Sequence, residues 1–221
     1  MAIIHNLSAL ALRQLIDGAV KAVGFKIAEE GADAVVGLLA RYFTDHSQRL
    51  AAALHTANER AWRALEIALA GDSLWERCKV KLASRDYQAF RQQVQAFLDV
   101  TPLAGLPSHG AEFRQQALAQ LQAARKAGLL TGGTLAPAEL AGRAGAFARF
   151  ADPQSLLEAE WALVEEVAAE VRQAGFGALA HLLELRPPRG LPLLVTAVRY
   201  FFRREVETDR ELFQGLTFAQ L

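Results

Sequence analysis

The chain has 221 residues, with 24 Lys and Arg against 24 Asp and Glu, so its formal net charge is zero. This balance excludes the strongly basic surface with which a general nucleic-acid binder neutralises phosphates. The single cysteine excludes an intrachain disulfide framework and a zinc site built on several cysteines. The 43 Ala and 34 Leu are strong helix formers, and they predict an all-α protein.

The first half of the chain shows helical spacing of its apolar residues almost throughout. Over residues 7–43 the charges recur every three or four positions and leave the leucines and valines for burial. A second helix is predicted to begin at a cap on Thr44 or Asp45 and to end at Ala70. Two shorter helices follow, and Ser84 is predicted to cap the second of them.

The pattern stops in residues 99–110, which contain two prolines and two glycines. This composition predicts a loop. We expect one all-helical module over residues 1–221, in which this loop offers a boundary between two subdomains, 1–100 and 110–221.

Glycine and proline mark the helix ends of the second half. The fifth helix is predicted to end at Gly128, and the seventh to begin at Pro153 and end at Gly175. A short helix and a last helical segment over residues 191–221 follow. The sequence therefore predicts a bundle of roughly eight to nine helices with no significant sheet.

The chemistry-bearing residues form no catalytic, cofactor-binding or metal-binding motif. No phosphate-binding glycine loop, nucleophile elbow or His-Glu-x-x-His sequence is present, and the five histidines are isolated. Five glutamates on the seventh helix lack the Glu-x-x-His pairs of a di-metal site, so a solvated face is predicted for Glu158, Glu160, Glu165, Glu166 and Glu170. We therefore predict no cofactor and no metal, and a non-enzymatic protein. An enzyme with a small-molecule pocket between helices is a further alternative, because a site assembled from distant residues leaves no local motif.

One basic cluster near the end of the chain is a candidate for anion contact, with a phosphate or an anionic membrane surface. It consists of Arg186, Arg189, Arg199, Arg203 and Arg204. Four acidic residues follow within the next two turns, and Arg203 and Glu207 are four residues apart. Pairing within the helix is therefore the simpler interpretation.

Apolar residues continue at helical spacing to the last residue of the sequence. They are Leu212, Phe213, Leu216, Phe218 and Leu221. This pattern predicts that the sequence is a fragment of a longer chain. It also predicts an exposed interaction face on Leu212, Phe213, Leu216 and Phe218.

Four stretches carry a resemblance that covers nearly the whole chain: residues 43–50 (FTDHSQRL), 57–66 (ANERAWRALE), 124–130 (ARKAGLL) and 199–209 (RYFFRREVETD). Together they resemble an uncharacterised helical region at the N-terminus of large multidomain bacterial proteins. In such proteins the C-terminal part is often a repeat array or a sensor module. The resemblance implies a module whose role depends on the rest of its molecule, and it carries over no functional residue.

These patterns predict a non-enzymatic interaction or regulatory module, whose partner is a protein: a second copy, or another domain of the same chain. No nucleic-acid partner is expected. The alternative is a membrane-acting bundle that inserts residues 7–43, with peripheral contact and no spanning helix. The absence of a basic leader followed by a cleavage site predicts a cytoplasmic protein.

Overall fold

A computed structural model of the chain describes residues 3, 5–13, 37, 41–42, 44–70, 85–100, 110–130, 136, 138–139, 142, 153–185 and 193–212. Every regular element in these ranges is an α-helix. The prediction of an all-α, multi-helix fold without a sheet is therefore confirmed.

The helices with defined bounds are named here in chain order. They are α1 (Ser47–Ala70), α2 (Arg85–Val100), α3 (Ala111–Lys126), α4 (Pro153–Gln173), α5 (Gly177–Glu184) and α6 (Leu193–Thr208). Residues 5–13 are also helical and are called the N-terminal helix.

The observed bounds agree with several predicted ones. α1 ends at Ala70, α2 begins directly after Ser84, and α4 begins at Pro153. These boundaries were legible because caps, glycines and first-turn prolines act through the backbone of their own segment.

Two helix ends show why glycine was informative. Gly128 and Gly175 have φ of 72° and 90°, in the left-handed region that favours glycine. After α3, the amide of Leu129 donates to the carbonyl of Ala124 at 3.1 Å, and that of Gly128 to Arg125 at 3.0 Å. The same pair of bonds follows α4, so both helices end in a Schellman motif.

Packing between the described helices follows a simple order. α6 packs along α1, α1 packs on α3, α3 on α5, and α5 on α4. Aromatic rings join α2 to α6, since Phe97 lies 5.5 Å from Tyr200 and 5.9 Å from Phe201 between ring centroids. Apart from Trp161, the buried apolar residues of these helices form a single cluster.

The N-terminal helix is packed among these helices, and it contacts α1, α4 and α6. Its residues 6–12 are all buried, which means that every face of the helix is covered. It runs antiparallel to α4, because Asn6 contacts Glu166 while Arg13 contacts Glu160. A helix buried on all sides must satisfy its polar groups through neighbours.

The last segment differs from its prediction. α6 ends at Thr208 instead of continuing, and a separate helical turn over residues 210–212 follows. The Asp209 carboxylate accepts hydrogen bonds from the amides of Glu211 at 3.0 Å and Leu212 at 3.1 Å. The Asp209 carboxylate therefore caps the start of this second helical turn.

Candidate functional site

The turn after α6 is fixed against the start of α1 by side chains from both. Arg49 of α1 contacts Glu211 at 2.8 Å and Asp209 at 3.5 Å. The Tyr42 hydroxyl donates to the carbonyl of Leu212 at 3.1 Å. We call these five residues, Tyr42, Arg49, Asp209, Glu211 and Leu212, the C-terminal corner.

The electrostatics of the corner follow from these contacts. The hydrogen bond from the amide of Leu212 is the largest effect that lowers the pKa of the Asp209 carboxyl, and Glu211 and Arg49 act in the same direction. Burial raises the pKa of the Tyr42 phenol, and the negative charge of Asp209 adds to this increase. Asp209 therefore stays ionised and Tyr42 stays protonated around neutral pH.

A groove of about 510 Å³ lies between α1 and α6 beside the corner. It is lined by Arg49, Ala52, Ala53 and Thr56 of α1 and by Glu205, Thr208, Asp209 and Arg210. The α1 residues have the spacing of one helix face, and their small side chains leave the space between the helices open.

Most of the charged side chains that line the groove are paired. Arg49 pairs with Asp209, and Glu205 pairs with Arg60, which lies on α1 outside the lining. Arg210 is exposed, and no residue in the described ranges pairs with it. Because most of the lining charge is already paired, the groove suits contact with a protein surface better than capture of an ion.

Leu212, which the helical spacing predicted to be exposed, is fully buried. The cap on Asp209 and the hydrogen bond from Tyr42 turn it into the core. The other three predicted interaction residues, Phe213, Leu216 and Phe218, lie outside the described residues.

The predicted basic cluster does not form one surface in the described part of the chain. Arg199 is buried, and it binds Glu160 and the carbonyl of Leu10. Arg203 pairs with Glu207 at 2.8 Å, the i, i+4 pair that the sequence predicted, and Arg204 approaches the same carboxylate at 3.4 Å. Arg186 and Arg189 lie outside the described residues.

A buried charge cluster replaces part of the predicted solvated face on α4. Glu160 has no exposed surface, and its Oε1 accepts from both Arg13 and Arg199. The prediction of a solvated Glu160 was wrong because it considered only the neighbours within one helix. Glu158, Glu165 and Glu166 are exposed, as predicted.

The burial of a second carboxylate was also not predicted from the sequence. Glu66 of α1 is 4% exposed, and it accepts hydrogen bonds from Gln122 at 3.0 Å and Arg125 at 2.7 Å, both on α3. Arg63 adds a contact of 3.0 Å from one turn away. The only local signal was the Arg63–Glu66 spacing, which is common on exposed helices.

No group of three or more His, Cys, Asp or Glu in the described part of the chain is placed to hold a metal ion. Among the described residues, no helix has the length and apolar character needed to cross a membrane.

Comparison with known proteins gives no match, whether the chain is compared with protein-family models, with curated proteins or with solved structures. The resemblance to N-terminal regions of multidomain bacterial proteins therefore stays a prediction.

Proposed function

We propose that the chain is a non-enzymatic helical module that acts in the bacterial cytoplasm through protein–protein contact, with self-assembly as the specific form. The observation that carries this proposal is the open groove between α1 and α6 beside the fixed turn at residues 209–212. From that turn the sequence continues directly into Phe213, Leu216 and Phe218.

The arrangement favours a symmetric contact. Because residues 213–218 follow directly in sequence from the turn beside the groove, the segment and the groove can be exchanged between two copies around a two-fold axis. The small side chains of Ala52, Ala53 and Thr56 leave space between the charged residues of the groove for side chains of the second copy. We therefore propose that residues 213–218 of one copy occupy the groove of the second.

The first measurement is the solution mass of the chain by light scattering behind a sizing column, over a concentration series. We expect a dimer that dissociates on dilution. The triple variant Phe213→Ala, Leu216→Ala, Phe218→Ala should be monomeric at every concentration, because it removes the apolar side chains that enter the groove. Leu212 stays unchanged in this variant because it belongs to the core.

The groove itself is tested by Ala52→Arg, which fills it from an exposed position of α1. The matched control is Ala123→Arg, the same change at an exposed alanine of α3 away from the groove. We expect Ala52→Arg to abolish the dimer and Ala123→Arg to leave it intact. A wild-type monomer at all concentrations, or equal effects of the two arginines, would show the self-assembly proposal to be wrong.

The membrane-acting alternative requires a buried part of the chain to leave the bundle. Residues 7–12 are buried, so the start of the segment 7–43 would have to leave the bundle before it could insert. Co-sedimentation with vesicles of anionic lipid at low salt tests this alternative, and a chain that stays in the supernatant would exclude it.

A further inference from the structure

Two polar atoms of α1 lie in the core without a hydrogen-bond partner among the described residues. They are the indole Nε1 of Trp62 and the side-chain Oδ1 of Asn58, and both atoms are buried. Trp62 has no exposed surface and Asn58 is 1% exposed. A buried polar group without a partner costs free energy, so most such groups bond either to protein or to an ordered water.

The two atoms belong to the same face of α1. Asn58 and Trp62 are four residues apart, which places their side chains next to each other on the helix surface. Their hydrogen-bonding needs are complementary, because the indole N–H only donates and the amide oxygen only accepts. Bulk solvent reaches neither atom, so a partner for them has to lie inside the bundle.

A third polar group comes from the N-terminal helix. The side-chain nitrogen of Asn58 donates to the Ser8 hydroxyl at 3.5 Å, which is long for a hydrogen bond. Ser8 has no exposed surface, and its own hydroxyl hydrogen can still donate to a further acceptor. Together with Trp62, these groups offer two donors and one acceptor between α1 and the N-terminal helix.

We propose that one internal water molecule binds between these side chains. It accepts from the Trp62 indole and the Ser8 hydroxyl and donates to Asn58 Oδ1, and three hydrogen bonds are the typical number for a buried water. We call Ser8, Asn58 and Trp62 the internal water site. The inference does not depend on the self-assembly proposed above, since none of the three residues lines the groove.

The chemistry of the three side chains selects water over other partners. None of them carries a charge, so an ion held by them would be desolvated without a counter-charge. Water also fits if the Asn58 amide is rotated by 180°, because it can then accept from the amide nitrogen as well as from Trp62. A direct bond cannot form between those two donors.

NOE spectroscopy between water and protein tests the internal water site in the full wild-type chain. Trp62→Phe identifies the indole N–H resonance of Trp62 among the three tryptophans. We expect this resonance to show cross-peaks at the water frequency with opposite signs in NOE and ROE spectra. Opposite signs identify a bound water, whereas proton exchange with the solvent gives equal signs. Absence of these cross-peaks would overturn the proposal.

Ser8→Ala separates a bound water from the Ser8 hydroxyl proton, which exchanges with solvent and can produce a similar signal. We expect the Trp62 cross-peaks to persist in this variant, because Asn58 and Trp62 still supply two of the three hydrogen bonds. If the cross-peaks vanish from folded Ser8→Ala, the hydroxyl was their source and the proposal is wrong.

Asn58→Leu removes the acceptor with little change in side-chain volume. We expect the Trp62 cross-peaks to disappear, because only donors remain around the water. Glu59→Leu is the matched control, since it introduces the same side chain at an exposed neighbouring position of α1 and should keep the cross-peaks. Cross-peaks of full strength in Asn58→Leu would overturn the proposed site. The wild-type and Ser8→Ala spectra decide the proposal whether or not Asn58→Leu folds.

Discussion

Glu66 and Glu160 show what a single carboxylate does inside this bundle. Each is almost fully removed from water, and each binds at least one arginine of another helix. Burial of one charge without its partner is costly, so each carboxylate constrains the helices that bring the arginines. Glu66 ties α1 to α3, and Glu160 ties α4 to α6 and to the N-terminal helix.

Asp209 acts at the same scale but near the surface, and it leads to a pH-dependent prediction. Its pKa is lowered in the folded chain, chiefly by the amide of Leu212, from the usual value of 3.8. A lowered pKa means that the stabilisation is present above the unfolded pKa and is lost as the pH falls through the folded value. We expect Asp209→Asn to reduce the free energy of unfolding by about 0.5 kcal/mol at neutral pH, because the amide keeps a cap acceptor but loses the negative charge that faces the backbone amides and Arg49.

The difference between wild type and Asp209→Asn should then shrink as the pH falls below 3.8 and disappear once the pH lies below the lowered pKa of Asp209, because both side chains are neutral there. Urea unfolding at a series of pH values measures this difference in the free energy of unfolding between wild type and Asp209→Asn. Asp45→Asn changes an exposed carboxylate and serves as the control. A difference that is constant with pH would show that the charge of Asp209 contributes nothing to the cap.

At the scale of elements, the helix ends are set by local backbone chemistry. α3 and α4 end with the same pair of hydrogen bonds around a glycine of positive φ. Among the described residues, no heavy atom beyond the adjoining backbone would lie within 4 Å of a Cβ at Gly128, Gly175 or Gly177. A substitution at these positions therefore reports the backbone conformation and not a steric clash.

We expect Gly128→Ala and Gly175→Ala each to lower the free energy of unfolding by about 1 kcal/mol, the cost of a left-handed alanine. Gly177→Ala is the matched control, since Gly177 is the first residue of α5 and lacks a positive φ. Its effect should be neutral or slightly stabilising. Urea unfolding measures the free energy of unfolding of the three variants. If Gly177→Ala lowers it as much as the other two substitutions, the explanation by backbone conformation is wrong.

At the scale of the whole molecule, the N-terminal helix connects parts of the chain that are far apart in sequence. Leu10 is fully buried in the single apolar cluster, and its carbonyl accepts from Arg199, 189 residues away. A cavity left by a smaller side chain at Leu10 would therefore be lined by several helices, and these cannot all move inward to fill it.

Leu10→Ala should lower the free energy of unfolding by about 3 kcal/mol, because it removes buried methyl groups and leaves a cavity. Leu156→Ala, at a half-buried position of α4, should cost about 1 kcal/mol. Urea unfolding followed by circular dichroism compares the two. Equal losses would mean that the N-terminal helix does not lie at the centre of the bundle.

The sequence by itself determined the all-α class and many helix ends, such as Ala70, Pro153 and Gly175, together with the Arg203–Glu207 pair. These features depend on residues within about one or two turns, where capping, glycine conformation and helical spacing act. The burial of Leu212 was not predicted, because it accompanies a hydrogen bond from the Tyr42 hydroxyl, 170 residues away, to the Leu212 carbonyl, and the interaction face over Phe213, Leu216 and Phe218 stays a prediction.

Only the tertiary structure decided which charges are buried. Arg13 and Glu160 are separated by 147 residues, and Glu66 and Arg125 by 59. Glu160 and its exposed neighbour Glu158 belong to the same helix, and their types and local spacings do not distinguish them. The difference arises because burial of a charge depends on which helices pack against it, and that packing is a property of the whole bundle.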